Sequence, residues 1–295
     1  MHGRNVLRYV VFVLFLLRME WMQGQEKPDA PLPDIRQLMH EVQEHQKQLD
    51  TIRENYTYTS WQAVEDIDSA GTVKKQETGE YEEFFVNGHL IERKVKQNGR
   101  LLDEKEQQKE TERVTKLVEK AEKTPRDKAL EGPSISVTRL LEIMDVRNPR
   151  RENFRGEPTI VFDFVGRKDA KTHGIAEDAS KKLQGTLWIN AADRQVVHLE
   201  ASFNDNLRII GGIVATVQKG SNFRFDQGKV NGEIWLPTGA EGVMQAKVLM
   251  VKNLRQRFAE RDYDYKRFKV ETQQQTKDAK LTPTNETKSE TVKAP

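Results

Sequence analysis

His40-Glu41-Val42-Gln43-Glu44-His45 is the first place where this sequence sets metal-ligating side chains close together. Zinc capture on a helix needs both imidazoles on one face, which a spacing of four supplies. Here the spacing is five, so at about 100° per residue the two rings diverge by roughly 140°. Two solvent-facing histidines on a polar helix side are expected instead. Carboxylates are abundant, but a sequence cannot set two of them ~5–9 Å apart across a substrate. Asp163 stands out because it interrupts a strand that is otherwise apolar on both faces. It is either a functional buried carboxylate or, as expected here, a sheet-face residue near solvent or paired with arginine. Gly211-Gly212 and Gly220-Ser221 fit no phosphate loop or dinucleotide fingerprint and read as strand bulges or turns. There is no G-x-S-x-G nucleophile elbow. With no cysteine, the chain has no thiol nucleophile, disulfide, zinc ribbon or iron–sulfur site. Arg147, Arg150, Arg151 and Arg155 make a local basic cluster, read by default as a solvated loop and alternatively as a contact for anionic head groups. None of this reads as catalysis; no enzyme, no cofactor and no metal is expected. Clustered carboxylates in an open polar cleft would revive an enzyme.

The composition points the same way. The 295 residues carry 48 Lys+Arg against 46 Asp+Glu, and the near-zero balance argues against the basic footprint of nucleic-acid binding. Charge is unevenly spread: 17 of the 31 residues in 101–131 are charged, which marks a solvated appended segment. Arg4 and Arg8 precede the apolar run Tyr9–Leu17, and Gly24 supplies a small residue before a cut. That is the tripartite form of a signal peptide over 1–24. An uncleaved anchor competes poorly, because nine residues span only ~14 Å of helix against a ~30 Å hydrocarbon core. The chain is expected to be periplasmic or secreted, with no lipobox cysteine to anchor it.

Residues 25–33 read as a Pro-rich linker. Asp34 and Gln37 form a candidate capping box, and Ile35, Leu38, Met39, Val42, Leu49 and Ile52 recur at helical spacing, predicting a helix over about 34–54. Tyr56–Ile67, Thr72–Val86 and His89–Gln97 read as a meander, with hairpin signals at Asn87-Gly88 and Asn98-Gly99. Residues 103–145 read as a helical insertion: a charged helix with a narrow Val114, Leu117, Val118, Ala121 stripe, then a short one burying Val137, Leu140, Leu141 and Met144. Pro158–Val165, Leu183–Asn190, Gln195–Phe203, Ile209–Gln218, Ser221–Asp226, Glu233–Leu236, Val243–Val251 and Gln256–Val270 supply further strands. Such a run favours one antiparallel sheet in a single 34–270 domain. Residues 271–295 are almost devoid of apolar side chains and read as a disordered tail.

Aromatic and aliphatic residues concentrate on the predicted strands. About ten strands with helices on the concave face would enclose either an ordinary filled core or a lipid-sized cavity. Gly185-Thr186-Leu187-Trp188-Ile189-Asn190 with Arg194-Gln195-Val196-Val197-His198-Leu199-Glu200 resembles a recurrent hairpin of the periplasmic lipoprotein-carrier (LolA/LolB-like) superfamily. Gly232-Glu233-Ile234-Trp235-Leu236-Pro237 and Asp262-Tyr263-Asp264-Tyr265-Lys266-Arg267-Phe268 resemble closing strands of its bacterial outer-membrane lipoprotein-sorting relatives. The resemblance, over about 35–270, implies an α+β fold: an open antiparallel half-barrel whose helices cover an apolar cavity. It implies a non-catalytic envelope protein that binds or carries lipid or lipoprotein acyl chains, with peripheral membrane contact and no nucleic acid. The cavity would be lined by Leu38, Val42, Leu49, Trp61, Phe85, Phe162, Phe164, Leu187, Leu199, Phe203, Met244 and Val248. The alternative is a periplasmic protein-interaction or envelope-stress sensing module that meets an envelope protein through the charged 103–131 helix.

Overall fold

In the computed structural model, residues 31–267 are described, apart from 127, 129, 131–134, 136, 210–213 and 250. The expected signal peptide, the disordered tail and Gly211-Gly212 lie outside the described residues. Helix α1 (Ile35–Ile52) starts where predicted, the Asp34 carboxylate accepting from the Gln37 amide at 2.9 Å. It buries Leu38, Met39, Val42, Gln46 and Leu49, and a 3₁₀ turn, Arg53–Asn55, leads into the sheet. Strands β1 (Tyr56–Ile67), β2 (Val73–Val86), β3 (His89–Gln97) and β4 (Arg100–Leu101) form the meander. Both hairpins turn on Asn-Gly pairs with positive φ at each residue, 49° and 81° at Asn87-Gly88 and 50° and 78° at Asn98-Gly99. Glycine tolerates that conformation and its twist matches paired strands, so the register of β2–β3 is set locally.

The insertion contains α2 (Glu104–Lys123), opened by a reciprocal capping box between Asp103 and Glu106, and α3 (Val137–Ile143). Then follow β5 (Met144–Phe154), β6 (Glu157–Gly166), α4 (Ile175–Ser180), β7 (Leu183–Asn190), β8 (Val196–Phe203), β9 (Leu207–Ile209), β10 (Ala215–Val217), β11 (Asn222–Val230), β12 (Ile234–Val248) and β13 (Lys252–Arg267). Among the described residues, thirteen strands make one antiparallel sheet in the order β4-β3-β2-β1-β13-β12-β11-β8-β7-β6-β5, with β10 paired to β12 and β9 to β10. The end strands β4 and β5 do not meet, so the sheet is an open α+β half-barrel.

Three details depart from expectation. The stretch with Arg147, Arg150 and Arg151 is not a loop but β5, the edge strand, bulged between Arg147 and Arg150. Met144 therefore opens a strand and does not close a helix. The expected strand Ile209–Gln218 is two short ones, and the two expected over 233–251 are continuous in β12. Finally, α2 does not join α1. Its Leu117 and Ala121 pack on Phe84, Val86 and Ile91. Strand alternation turns those residues away from Glu83 and Phe85, so α2 covers the outer face of β2–β3.

The main core lies between α1, α3 and the inner face of β6–β8, where Phe162, Phe164, Leu187, Ile189 and Leu199 are at most 2% exposed. On the outer face His198 bridges Asp226 (2.7 Å) and Glu200 (3.2 Å) beneath the rings of Phe154 and Trp188, and Arg155 pairs with Asp226 at 2.9 Å. That cluster ties the β5–β6 turn to β8 and β11.

Candidate ligand cleft and a buried acid row

Most of the twelve expected cavity residues are packed. Leu38, Val42, Phe162, Phe164, Leu187, Leu199 and Phe203 belong to one buried cluster, and Met244 packs half-buried against it. Leu49 sits in a second cluster with Tyr56, Ile234 and Leu236. Trp61 alternates onto the outer face, as its neighbours Ser60 and Gln62 point inward. Val248 lies at the far end of β12 opposite Ala215. Phe85 borders a crevice of about 70 Å³ shared with Arg53, Tyr56, Tyr58, Leu90, Leu236, Pro237 and Tyr265.

A larger opening was not expected. A cleft of about 780 Å³ runs between the first half of α1, α3 and the edge strand β5. Ile35, Met39, Leu141, Met144 and Val146 line its apolar side, and Arg36, Gln43, Arg139, Glu142, Asp145 and Arg167 line the rest with mixed charge. Met39, Leu141 and Met144 are also members of the main core, so the cleft opens directly onto the layer under α1. Arg139 is engaged by Glu142 (2.8 Å) and Glu177 (2.9 Å). The Arg167 guanidinium donates to the Glu142 carbonyl at 2.8 Å while its Nε is buried without a partner. The volume falls in the range of small-ligand sites, ~300–1,000 Å³.

α1 is tied to α3 by Asp50, whose carboxylate accepts from the Thr138 hydroxyl at 3.1 Å, and to the sheet by three polar contacts. Gln46 Nε2 donates to Gln195 Oε1 at 2.8 Å in the interior, Arg194 meets Glu41 at 3.3 Å, and His45 Nδ1 lies 3.1 Å from the Asp193 carbonyl. All three reach the β7–β8 turn. His40 is exposed and His45 half-buried, and the two do not converge.

Another groove, about 530 Å³, crosses β7, β8, β11, β12 and β13 at Gly185, Ala201 and Gly242. Its arginines are neutralised, Arg224 by Glu241 at 2.7 Å and Arg257 by Glu65 at 2.7 Å. Asp163 is paired as expected, with Arg150 at 3.0 Å and the Asn148 amide at 2.9 Å. These contacts hold its carboxyl below the usual range.

The other half of the concave face holds a row that sequence reasoning missed. Register sets Tyr58 opposite Glu83, Ser60 opposite Asp262, Gln62 opposite Glu260 and Glu83 opposite Glu92. Glu83 is 2% exposed and Asp262 7%. Burial pushes the Glu83 carboxyl up to about 7, and burial with the neighbouring Glu260 and Glu83 pushes Asp262 up to about 8. Burial also raises Glu260, with Glu92 adding to it. Tyr58 and Tyr265 stack at 4.8 Å beside this row, and burial raises both hydroxyls. The carboxylates do cluster, but inside the wall rather than in an open polar cleft.

No family model matches the sequence, and no curated protein matches it. Among solved structures, the chain is similar to a LolA superfamily protein from Nitrosomonas europaea, at 11% identity and TM-score 0.37, covering 81% of this chain and 96% of that one. It is similar to a DUF1329 family protein from Desulfovibrio piger at 9% identity and TM-score 0.35, covering 81% and 96%. A third is an outer membrane lipoprotein-sorting protein domain from Vibrio parahaemolyticus, at 8% identity and TM-score 0.33, covering 80% and 95%. Likeness at this level assigns neither ligand nor role to this chain. Among the described residues, no helix is long and apolar enough to cross a membrane.

Proposed function

We propose that this protein is a non-catalytic exported carrier that takes an acyl chain into the cleft beneath α1. A single observation supports it most: Met39, Leu141 and Met144 carry the core's apolar surface into a cleft whose polar side includes Arg36 and Arg167. An acyl chain matches the walls, and an anionic head group matches Arg36 and Arg167. The layer beneath α1 is filled by the protein's own side chains, so loading requires α1 to lift. Its apolar underside and its small set of polar ties, three to the β7–β8 turn and one to Thr138, suit that motion, because few hydrogen bonds must break. Export, cleavage of residues 1–24 and a single 34–270 domain remain parts of this proposal.

The test begins with protein purified from cell envelopes, extracted and analysed by mass spectrometry for retained lipid. Stoichiometric acyl lipid is expected. Ile35→Asp, which places a charge on the partly buried wall of the cleft, should abolish retention while leaving the fold's circular dichroism unchanged. No retained lipid, or retention indifferent to Ile35→Asp, would overturn the proposal.

A further inference from the structure

The hairpin of the two longest strands ends in side chains that neither the core nor the turn requires. β12 and β13 pair out to Val248 opposite Lys252, and the Val251 amide donates to the Val248 carbonyl at 3.1 Å, closing the turn. The Leu249 amide donates to the Val214 carbonyl at 3.0 Å, which brings the lead-in to β10 alongside. All three residues are apolar and face solvent: Val251 is 81% exposed, Leu249 64% and Val214 41%.

The backbone makes Leu249 an odd choice for a turn. Its φ is 47°, in the left-handed region that a Cβ disfavours. Elsewhere the chain fills such turns with a glycine pair: Asn87-Gly88, Asn98-Gly99, Arg155-Gly156 and Asn231-Gly232 have positive φ at both positions. Among the eight described non-glycine residues with positive φ, Leu249 is the one aliphatic. A leucine there strains the turn and adds nothing to the core, and strain of that kind on a projecting turn points to function.

Charge sets the kind of partner. Lys247 and Lys252 are exposed beside the turn, and strand alternation puts them on opposite faces of the ribbon. Arg208 shares a face with Lys247, both lying opposite Thr216 on β10. Among the described residues, no carboxylate is ion-paired with any of the three; Asp205, which bears on Arg208, pairs with Lys182 at 3.1 Å. The sequence holds no acidic residue over 206–225 or over 242–259. At the adjoining end of β1, Asp66 accepts from Gln256 at 2.8 Å and Asp68 pairs with Lys74 at 2.9 Å. An aliphatic crest collared by unpaired cations matches a bilayer with anionic head groups. The crest enters the boundary of head groups and acyl chains while the lysines stay among the phosphates.

We propose that the β12–β13 turn, with Leu249 and Val251 as its crest, docks this protein on an anionic membrane surface. Register runs from Met144 opposite Gly166, through Leu183 opposite Phe203, to Asn222 opposite Val243. The turn therefore projects from the end of the sheet at which Met144 borders the α1 cleft.

Co-sedimentation of protein purified from cell envelopes with lipid vesicles tests this. Vesicles of phosphatidylcholine with about one-third phosphatidylglycerol should bind it roughly tenfold more tightly than phosphatidylcholine alone. That binding should weaken roughly tenfold between about 50 mM and about 500 mM salt, as the screening length falls. Leu249→Asn with Val251→Thr should weaken it roughly tenfold at an equal or higher melting temperature, because asparagine accepts the left-handed backbone. Lys247→Gln with Lys252→Gln should erase the preference for anionic vesicles. Binding indifferent to lipid charge, no binding to either vesicle, or full binding by the Leu249 and Val251 double variant would overturn the proposal. So would a dimer that this variant dissolves, since the crest would then meet a second copy of the chain. Vesicle binding needs no ligand in the α1 cleft, so its outcome is separate from that of acyl retention.

Discussion

The concave wall of this half-barrel has two ends that obey the same strand alternation and reach opposite chemistry. At β6–β8 the inward positions are Ile160, Phe162, Phe164, Leu187 and Leu199, sealed by α1. At β1, β2 and β13 they are Tyr58, Ser60, Gln62, Glu83, Glu260 and Asp262, beyond the end of α1. The first end gains stability from apolar burial, about 25 cal/mol per Å². The second end loses some of it by holding carboxyls out of water. A closed core needs only the first kind of wall.

Mutations should separate the two ends. Phe162→Ala removes a ring that is 1% exposed and should cost about 3–5 kcal/mol in urea unfolding. Phe85→Ala at the crevice, where the ring is only half-buried, should cost less than half of that. A comparable loss at Phe85 would erase the contrast between the ends.

The next effect is pH dependence. The Glu83 and Asp262 carboxyls are held above their usual values, so the folded protein binds protons that the unfolded chain has released. Their contribution is complete below about pH 4 and is lost as pH rises through about 7 to 8. Stability should accordingly fall between pH 5 and pH 8.5, with Glu83 alone accounting for about 3 kcal/mol at most. Glu83→Gln should flatten that slope; an unchanged slope in calorimetric melts would show that the row stays hydrated.

A smaller effect is expected where α1 is tied. Gln46→Ala leaves the Gln195 amide without its buried partner and should cost about 1–3 kcal/mol. The smallest lies on the outer face. Asp103→Ala breaks the α2 capping box for about 1 kcal/mol, and acyl retention should not change. Lost retention in that variant would move the functional surface to α2.

Much of the apolar end was legible in the sequence, because there the local patterns agree with the tertiary outcome. The i, i+3, i+4, i+7 recurrence of Ile35, Leu38, Met39 and Val42 marks α1, the Asn-Gly pairs mark the hairpins, and Phe162 and Phe164 share a strand face. The acid row was not legible, for a physical reason. Polar residues at alternate strand positions ordinarily mean solvent, and Glu83 is separated in sequence from Glu260 and Asp262. Only the pairing of β1 with both β2 and β13 brings them together. The face taken by α2 and the strand β5 were hidden similarly, the first by a thin apolar stripe and the second by arginines on an edge. The cleft was missed because its walls come from three separate elements.

The absence of cysteine makes the central claim directly testable. Gln46→Cys with Gln195→Cys places the only two thiols of the chain at the point where α1 meets the β7–β8 turn. Oxidised, this variant should fail to take up a fluorescent fatty acid, and reduction should restore uptake to that of the unaltered protein. Equal uptake in the oxidised and reduced states would contradict the claim that an acyl chain enters by lifting α1.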